Sequence, residues 1–136
     1  MKKLLKITEK YNIPVIEDSC QSILAAIDNK NAGTWGEAGA FSLHPLKNLH
    51  VHGDGGVLVT ENEALYRRVL MLRNHGLSNR ESVELWGYNS RLDGIQAAIL
   101  SVKLKYIEEW NNSRLKNALL YNEKLAGIDE IIVQLE

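Results

Sequence analysis

Short apolar runs bounded by polar residues alternate along this chain with longer stretches whose apolar positions recur at helical spacing. Leu4, Leu5, Ile7 and Tyr11 stand among lysines and Glu9, which predicts a short amphipathic helix over residues 2–11 with Asn12 placed to end it. Ile13, Pro14, Val15 and Ile16 form an unbroken apolar run that stops at Glu17 and Asp18. Such runs suit strands of a parallel sheet, which are covered on both faces. Residues 19–37 are mixed, and Asn29, Asn31, Gly33 and Gly36 mark loops there. Residues 38–43 read as a second strand and residues 55–60 as a third. Residues 61–73 read as a helix with Leu65, Val69 and Leu72 on one face, and Asn74, His75 and Gly76 are its stop signal.

Residues 77–91 are polar and irregular. Asp93 then opens a long helical pattern through Ile95, Ala98, Ile99, Val102, Ile107 and Trp110, which extends to Ala126 and Gly127 with room for a kink. An aspartate in the first turn meets the positive end of the helix dipole. Ile95, Ile99, Val102 and Ile107 form an apolar stripe that this helix is expected to bury. Ile131, Ile132 and Val133 read as the start of another strand. The alternation predicts an α/β fold, three layers with helices on both sides of a mainly parallel sheet.

Composition narrows the class without naming a function. With 136 residues, 45% hydrophobic and 24% charged, the chain has the make-up of a soluble globular domain or a piece of one. A net charge of −1 provides no global field toward nucleic acid or a membrane surface. Cys20 is the only cysteine, so no internal disulfide forms and a reducing cytoplasm fits. The basic start, Met1-Lys2-Lys3, is followed by Leu4 and Leu5 but broken by Lys6, Glu9 and Lys10, unlike a signal peptide. No run approaches the ~18 apolar residues of a membrane span.

The candidate chemistry lies where apolar runs end. Lys47 follows Ser42 by five positions, and Asp54, Gly55 and Gly56 come shortly after. Asp18 closes the first apolar run, and Gln21 follows it. A lysine can hold pyridoxal 5'-phosphate (PLP) as an imine, an aspartate can keep its ring nitrogen protonated, and a serine hydroxyl can donate to its phosphate. Freed by a substrate amine, such a lysine can also move a proton.

These residues lie in stretches that resemble the DegT/DnrJ/EryC1/StrS family of sugar aminotransferases, PLP enzymes of fold type I. The stretches are Val15 to Gln21, Gly39 to Asn48, Gly53 to Gly56, Leu72 to Gly76, and Gly87 to Ala98, in the family's order, with Asp18 and Lys47 29 positions apart. The resemblance implies that residues 1–127 are part of the PLP-binding large domain, ending in a long helix, and that residues 128–136 open a small C-terminal domain. It implies Lys47 as the catalytic lysine and covalent anchor, Asp18 against the pyridine nitrogen, Gln21 beside the ring near its 3-hydroxyl, and Ser42 on the phosphate. Asn89 would reach the phosphate in the neighbouring subunit, because the family's sites lie at a homodimer interface. The implied substrates are a nucleotide-linked keto sugar and an amino-acid donor, glutamate by expectation. Members are much longer, with an N-terminal segment that brings further phosphate donors and a stacking aromatic. A catalytically inert fragment or a dimerising paralogue is therefore the alternative. The family's sugar dehydratases carry histidine in place of the lysine, so Lys47 argues against that branch.

Plainer readings stand beside these. Asp18 could cap a following helix, Gln21 and Ser42 could be ordinary polar groups of loop and strand, and Asn89 could be a turn residue. His44, His50, His52 and His75 invite a metal reading, with His50 and His52 on one face of a strand, but only Asp54 stands near to complete a set, so no metal site is expected. Trp35, Trp86 and Trp110 read as packing anchors, and the charged residues of 103–116 as a solvated or subunit-facing helix surface.

Overall fold

The computed structural model describes residues 1–133. Helix α1 spans Lys2–Lys10. Asn12, at φ 53°, ends it by donating its N–H to the Glu9 carbonyl at 3.0 Å. Strand β1 is Ile16–Asp18, β2 Ala26–Ile27, β3 Lys30–Asn31, β4 Ala38–Ser42 and β5 Gly56–Val59. Helix α2 spans Glu63–Leu72, α3 Gly94–Lys103 and α4 Ile107–Leu125.

The fold is α/β, but its three-stranded sheet, in the order β1-β4-β5, is mixed. β1 and β4 are parallel, whereas β4 and β5 are antiparallel with Ser42 opposite Gly56. The expectation of a mainly parallel sheet therefore fails at the third strand. A parallel return needs a crossover, usually a helix. Residues 43–55 contain none, so the chain turns back beside β4.

The first strand also lies later than the apolar run suggested. Glu17 and Asp18 belong to it, and Ile16 is 72% exposed. The Glu17 carboxylate is what draws the strand toward the polar residues. It accepts N–H bonds from Gly33 at 2.9 Å, Trp35 at 2.5 Å and Gly36 at 2.9 Å, tying the following loop onto β1. Gly39 lets that loop lie against β4, because a Cβ there would collide with the Gly33 backbone.

Residues 19–37, expected only as loops, contain the hairpin of β2 and β3. Its turn is Asp28-Asn29, with φ of 52° and 59°. Asp and Asn tolerate this left-handed pair, which matches the twist of a two-residue hairpin.

The core sits between the β4–β5 connection and the two C-terminal helices. Leu43, Leu49, Val51, Leu100 and Ile107 are buried together, with Ile23, Leu92 and Trp110 against them. The long helical pattern is two helices, broken at residues 104–106. Its inward face is only half of the expected stripe, with Ile99 half-buried. Ile107 is buried, but Ile95 is 72% and Val102 57% exposed. Gln96, Leu100, Lys103 and Ile107 face the rest of the protein instead, and this row also follows helical spacing. The two polar members point inward because the 50–54 loop offers carbonyl oxygens that need donors. Gln96 Nε2 donates to the carbonyls of His52 at 2.9 Å and Asp54 at 3.1 Å, and Lys103 Nζ donates to that of His50 at 3.0 Å.

Helix α2 carries Leu65, Val69 and Leu72 half-buried as expected, and Asn62 caps it through its side chain. His75 and Gly76, at φ 60° and 76°, turn the chain out of α2. Trp86 is not an anchor: it is 97% exposed. The 77–91 segment is held by its backbone, through His75 to Tyr88 and Tyr88 to Leu72, and this pairing leaves Trp86 pointing outward. Ile131 to Val133 form no strand, since no described strand lies alongside to pair with them; residues 134–136 lie outside the described residues.

Candidate active site

β1 and β4 run in the same direction, and Asp18 and Ser42 end them. Ligands of open α/β sheets bind in the crevice beyond the carboxyl ends of parallel strands. The segment after β1 carries Cys20 and Gln21, and the segment after β4 carries Lys47 and Asn48. Gln21, Ser42, Lys47 and Asn48 line one crevice with Cys20 at its wall. At about 30 Å³ it is too small to enclose a pyridine ring, so these groups present an open face.

The loop after β4 is tightly wound. The Ser42 hydroxyl oxygen accepts the His44 N–H at 3.3 Å, so its own hydrogen is left to donate. The His44 carbonyl accepts the Lys47 N–H at 2.9 Å, and His44 Nδ1 accepts the Leu46 N–H at 3.2 Å. His50 Nδ1 meets the Lys47 carbonyl oxygen at 2.9 Å. These turns fix the backbone around Lys47, which is half-buried.

Asp18 is exposed and stands beside this crevice rather than in its lining. Its Oδ1 accepts the Cys20 N–H at 3.1 Å. The Cys20 thiol, then the Cys20 backbone N–H and the Lys47 charge, hold the Asp18 carboxyl below the ordinary carboxylate range, against a small opposing effect of burial. The thiol donates to the Ala40 carbonyl at 3.7 Å. Contact with Asp18 pushes the Cys20 thiol up, as does burial, so the thiol stays protonated and the carboxylate ionised.

Glu17, the other half of the acidic pair, faces the opposite way into the 33–36 loop. Burial pushes its carboxyl up, but the N–H groups of Gly36, Gly33 and Trp35, with Lys30, outweigh this and leave it below its ordinary value.

Asn89 is not in the crevice. It bridges to Asn74 at the end of α2 and is exposed. His50 and His52 lie in a loop, not on a strand. Among the described residues, no three His, Cys, Asp or Glu side chains gather as a metal site. Cys20, Asn48, Gln96, Lys103 and Asn111 have no role assigned from the sequence, although the first three lie in the family-like stretches. Gln96 carries a further signal, three residues after the cap Asp93, whose N–H its Oε1 accepts at 3.0 Å.

The model of the DegT/DnrJ/EryC1/StrS aminotransferase family matches residues 1–136. The chain belongs to this family. A similar curated relative is the UDP-N-acetyl-3-dehydro-alpha-D-glucosamine 3-aminotransferase of Acidithiobacillus ferrooxidans, 40% identical over 95% of this chain and 35% of that protein. Another is the dTDP-3-amino-3,6-dideoxy-alpha-D-galactopyranose transaminase of Aneurinibacillus thermoaerophilus, 42% identical over 92% of this chain and 34% of that one. Among solved structures, Streptomyces venezuelae DesV, in complex with a ketimine intermediate, superposes with a TM-score of 0.88 at 37% identity, over 93% of this chain and 34% of that one. The chain thus spans about a third of the length of the relatives it matches.

Proposed function

We propose that the protein is a PLP-dependent aminotransferase that moves an amino group, from glutamate as donor, onto the keto group of a nucleotide-linked sugar. The observation that carries this reading is the meeting of Gln21, Ser42 and Lys47 in one crevice, with Asp18 held ionised beside it at the end of the parallel strands. The donor set fits the cofactor: a lysine amine, an ionised carboxylate and a hydroxyl with its hydrogen to give.

When bound, the cofactor supplies an electron sink for charge that develops on the substrate carbon. Asp18, as a carboxylate, would keep a proton on the ring nitrogen. Ser42 would donate to the phosphate, and Gln21 would flank the ring. Lys47 would be the covalent anchor and, when free, the base that moves a proton at the substrate carbon. Asn89, on the 72–91 side, serves the phosphate of a second subunit. A lysine rather than a histidine at position 47 supports amino transfer over dehydration.

The same reading makes residues 1–127 part of the large domain, with further parallel strands beyond β1 and helices on both sheet faces, and residues 128–136 the opening of the next domain. A cytoplasmic homodimer is the assembly it implies. The open face of the crevice favours a second reading in one respect. A chain of this extent, acting without further walls for the cofactor, would be an inert or dimerising member of the family.

Borohydride reduction of the PLP-treated protein, followed by peptide mapping, tests the first reading. The cofactor is expected on Lys47, and Lys47→Ala is expected to abolish turnover while leaving the fold intact. Labelling spread evenly over surface lysines would overturn it.

A further inference from the structure

The two halves of the candidate site come from different parts of the chain: Asp18 and Gln21 follow β1, and Ser42 and Lys47 end or follow β4. Beyond the strands and the apolar packing of Ile23 on the core, one polar side chain hydrogen-bonds to both following segments. Asn111, on the first turns of α4, accepts a hydrogen bond from Asn48 Nδ2 at 3.0 Å. Its own Nδ2 points to the Ile23 carbonyl at 3.5 Å, a longer and weaker bond. Asn48 is the residue next to Lys47, and Ile23 lies two residues after Gln21. All three are half-buried, and Ile23 packs on the core, as does Trp110 beside Asn111.

We propose that Asn111 is a positioning residue: from α4 it sets the Lys47 loop against the segment that carries Gln21. This inference rests on the reading of Lys47 as the cofactor's anchor. The backbone around Lys47 is fixed on one side by His44 and on the other by His50. Neither contact reaches across the crevice. Leu43 and Leu49 anchor the loop in the core, and Asn48, next to Lys47, adds a polar tie to Asn111 on α4. Displacements of about 1 Å at a reacting group are enough to cost rate, so a modest hydrogen bond can have an effect beyond its stability.

The rate at which PLP becomes trapped on Lys47 by borohydride, measured by mass spectrometry over time, reads that positioning without depending on turnover. Trapping on Lys30, which lies over the Trp35 ring, serves as the internal control in the same digest. Asn111→Leu and Asn48→Ala are each expected to slow trapping on Lys47 about fivefold, the scale of one net hydrogen bond, with Lys30 unchanged. The double variant is expected to be no slower than Asn111→Leu alone, since Asn111→Leu already removes the bond that Asn48→Ala takes away. If Asn111→Leu fails to fold, Asn48→Ala, which leaves α4 untouched, decides by itself. If the wild-type protein shows no preference for Lys47, the proposed function falls and this inference with it. Where the wild type prefers Lys47 but the variants trap at the wild-type rate and merely melt lower, Asn111 is only a packing residue and the inference alone is overturned.

Discussion

The Lys103 ammonium donates to the His50 carbonyl oxygen at 3.0 Å, joining the last turn of α3 to the loop that follows Lys47. A lysine on a charged helix face ordinarily points to water. This one turns inward because the loop turns a carbonyl toward the helix, and its four-carbon stem is long enough to reach it.

Lys103→Met keeps the stem and removes the donor. The His50 carbonyl is then left without this partner, at a cost of about 1–3 kcal/mol. The midpoint of urea unfolding is expected to fall accordingly with an unchanged slope. A midpoint equal to the wild type would show that water serves that carbonyl as well as the lysine does.

Glu17→Gln weakens three backbone bonds at once, so the loop of residues 33–36 should loosen from β1. Its folded pKa lies below the ordinary 4.5, so the bound carboxylate stabilises the fold fully above that value. That contribution is lost as pH falls through the lowered folded pKa. Unfolding midpoints measured from about pH 7 down to about pH 3 should show a steeper acid loss in the wild type than in the variant. Parallel curves would mean that Glu17 does not drive the acid sensitivity.

Asp18→Asn keeps the shape of the side chain and removes its charge. If the proposed amino transfer holds, kcat is expected to fall about 10²-fold or more, the scale of a lost electrostatic partner at a developing charge. PLP affinity should change far less, because the proposed contacts of Ser42 and Lys47 with the cofactor remain. Turnover near that of the wild type would remove Asp18 from this role.

Much of this protein was legible in the order of its residues. The helices over residues 2–11 and 61–73 and the strands at 38–43 and 55–60 follow from local periodicity and stop signals, which depend only on neighbours in the chain. That Gln21, Ser42 and Lys47 share one crevice was foreshadowed by the resemblance, which pairs the stretch ending at Gln21 with the one carrying Ser42 and Lys47. The direction of β5 was not, because strand sense depends on what the connection contains and not on the strand's own residues. The buried face of α3 was misread for a related reason. Counting apolar residues favours Ile95 and Val102, but the 50–54 loop presents carbonyl oxygens, so Gln96 and Lys103 turn toward it and leave those two residues outside.

Residue type and spacing along the chain are enough to name the candidate groups and the two segments that carry them, since both are properties of the chain. Only the tertiary structure decided that Asp18 stands beside the Lys47 crevice with its charge held by Cys20, and that Asn111 spans both following segments. Those contacts join residues up to 88 positions apart, and no local pattern encodes a partner at that distance.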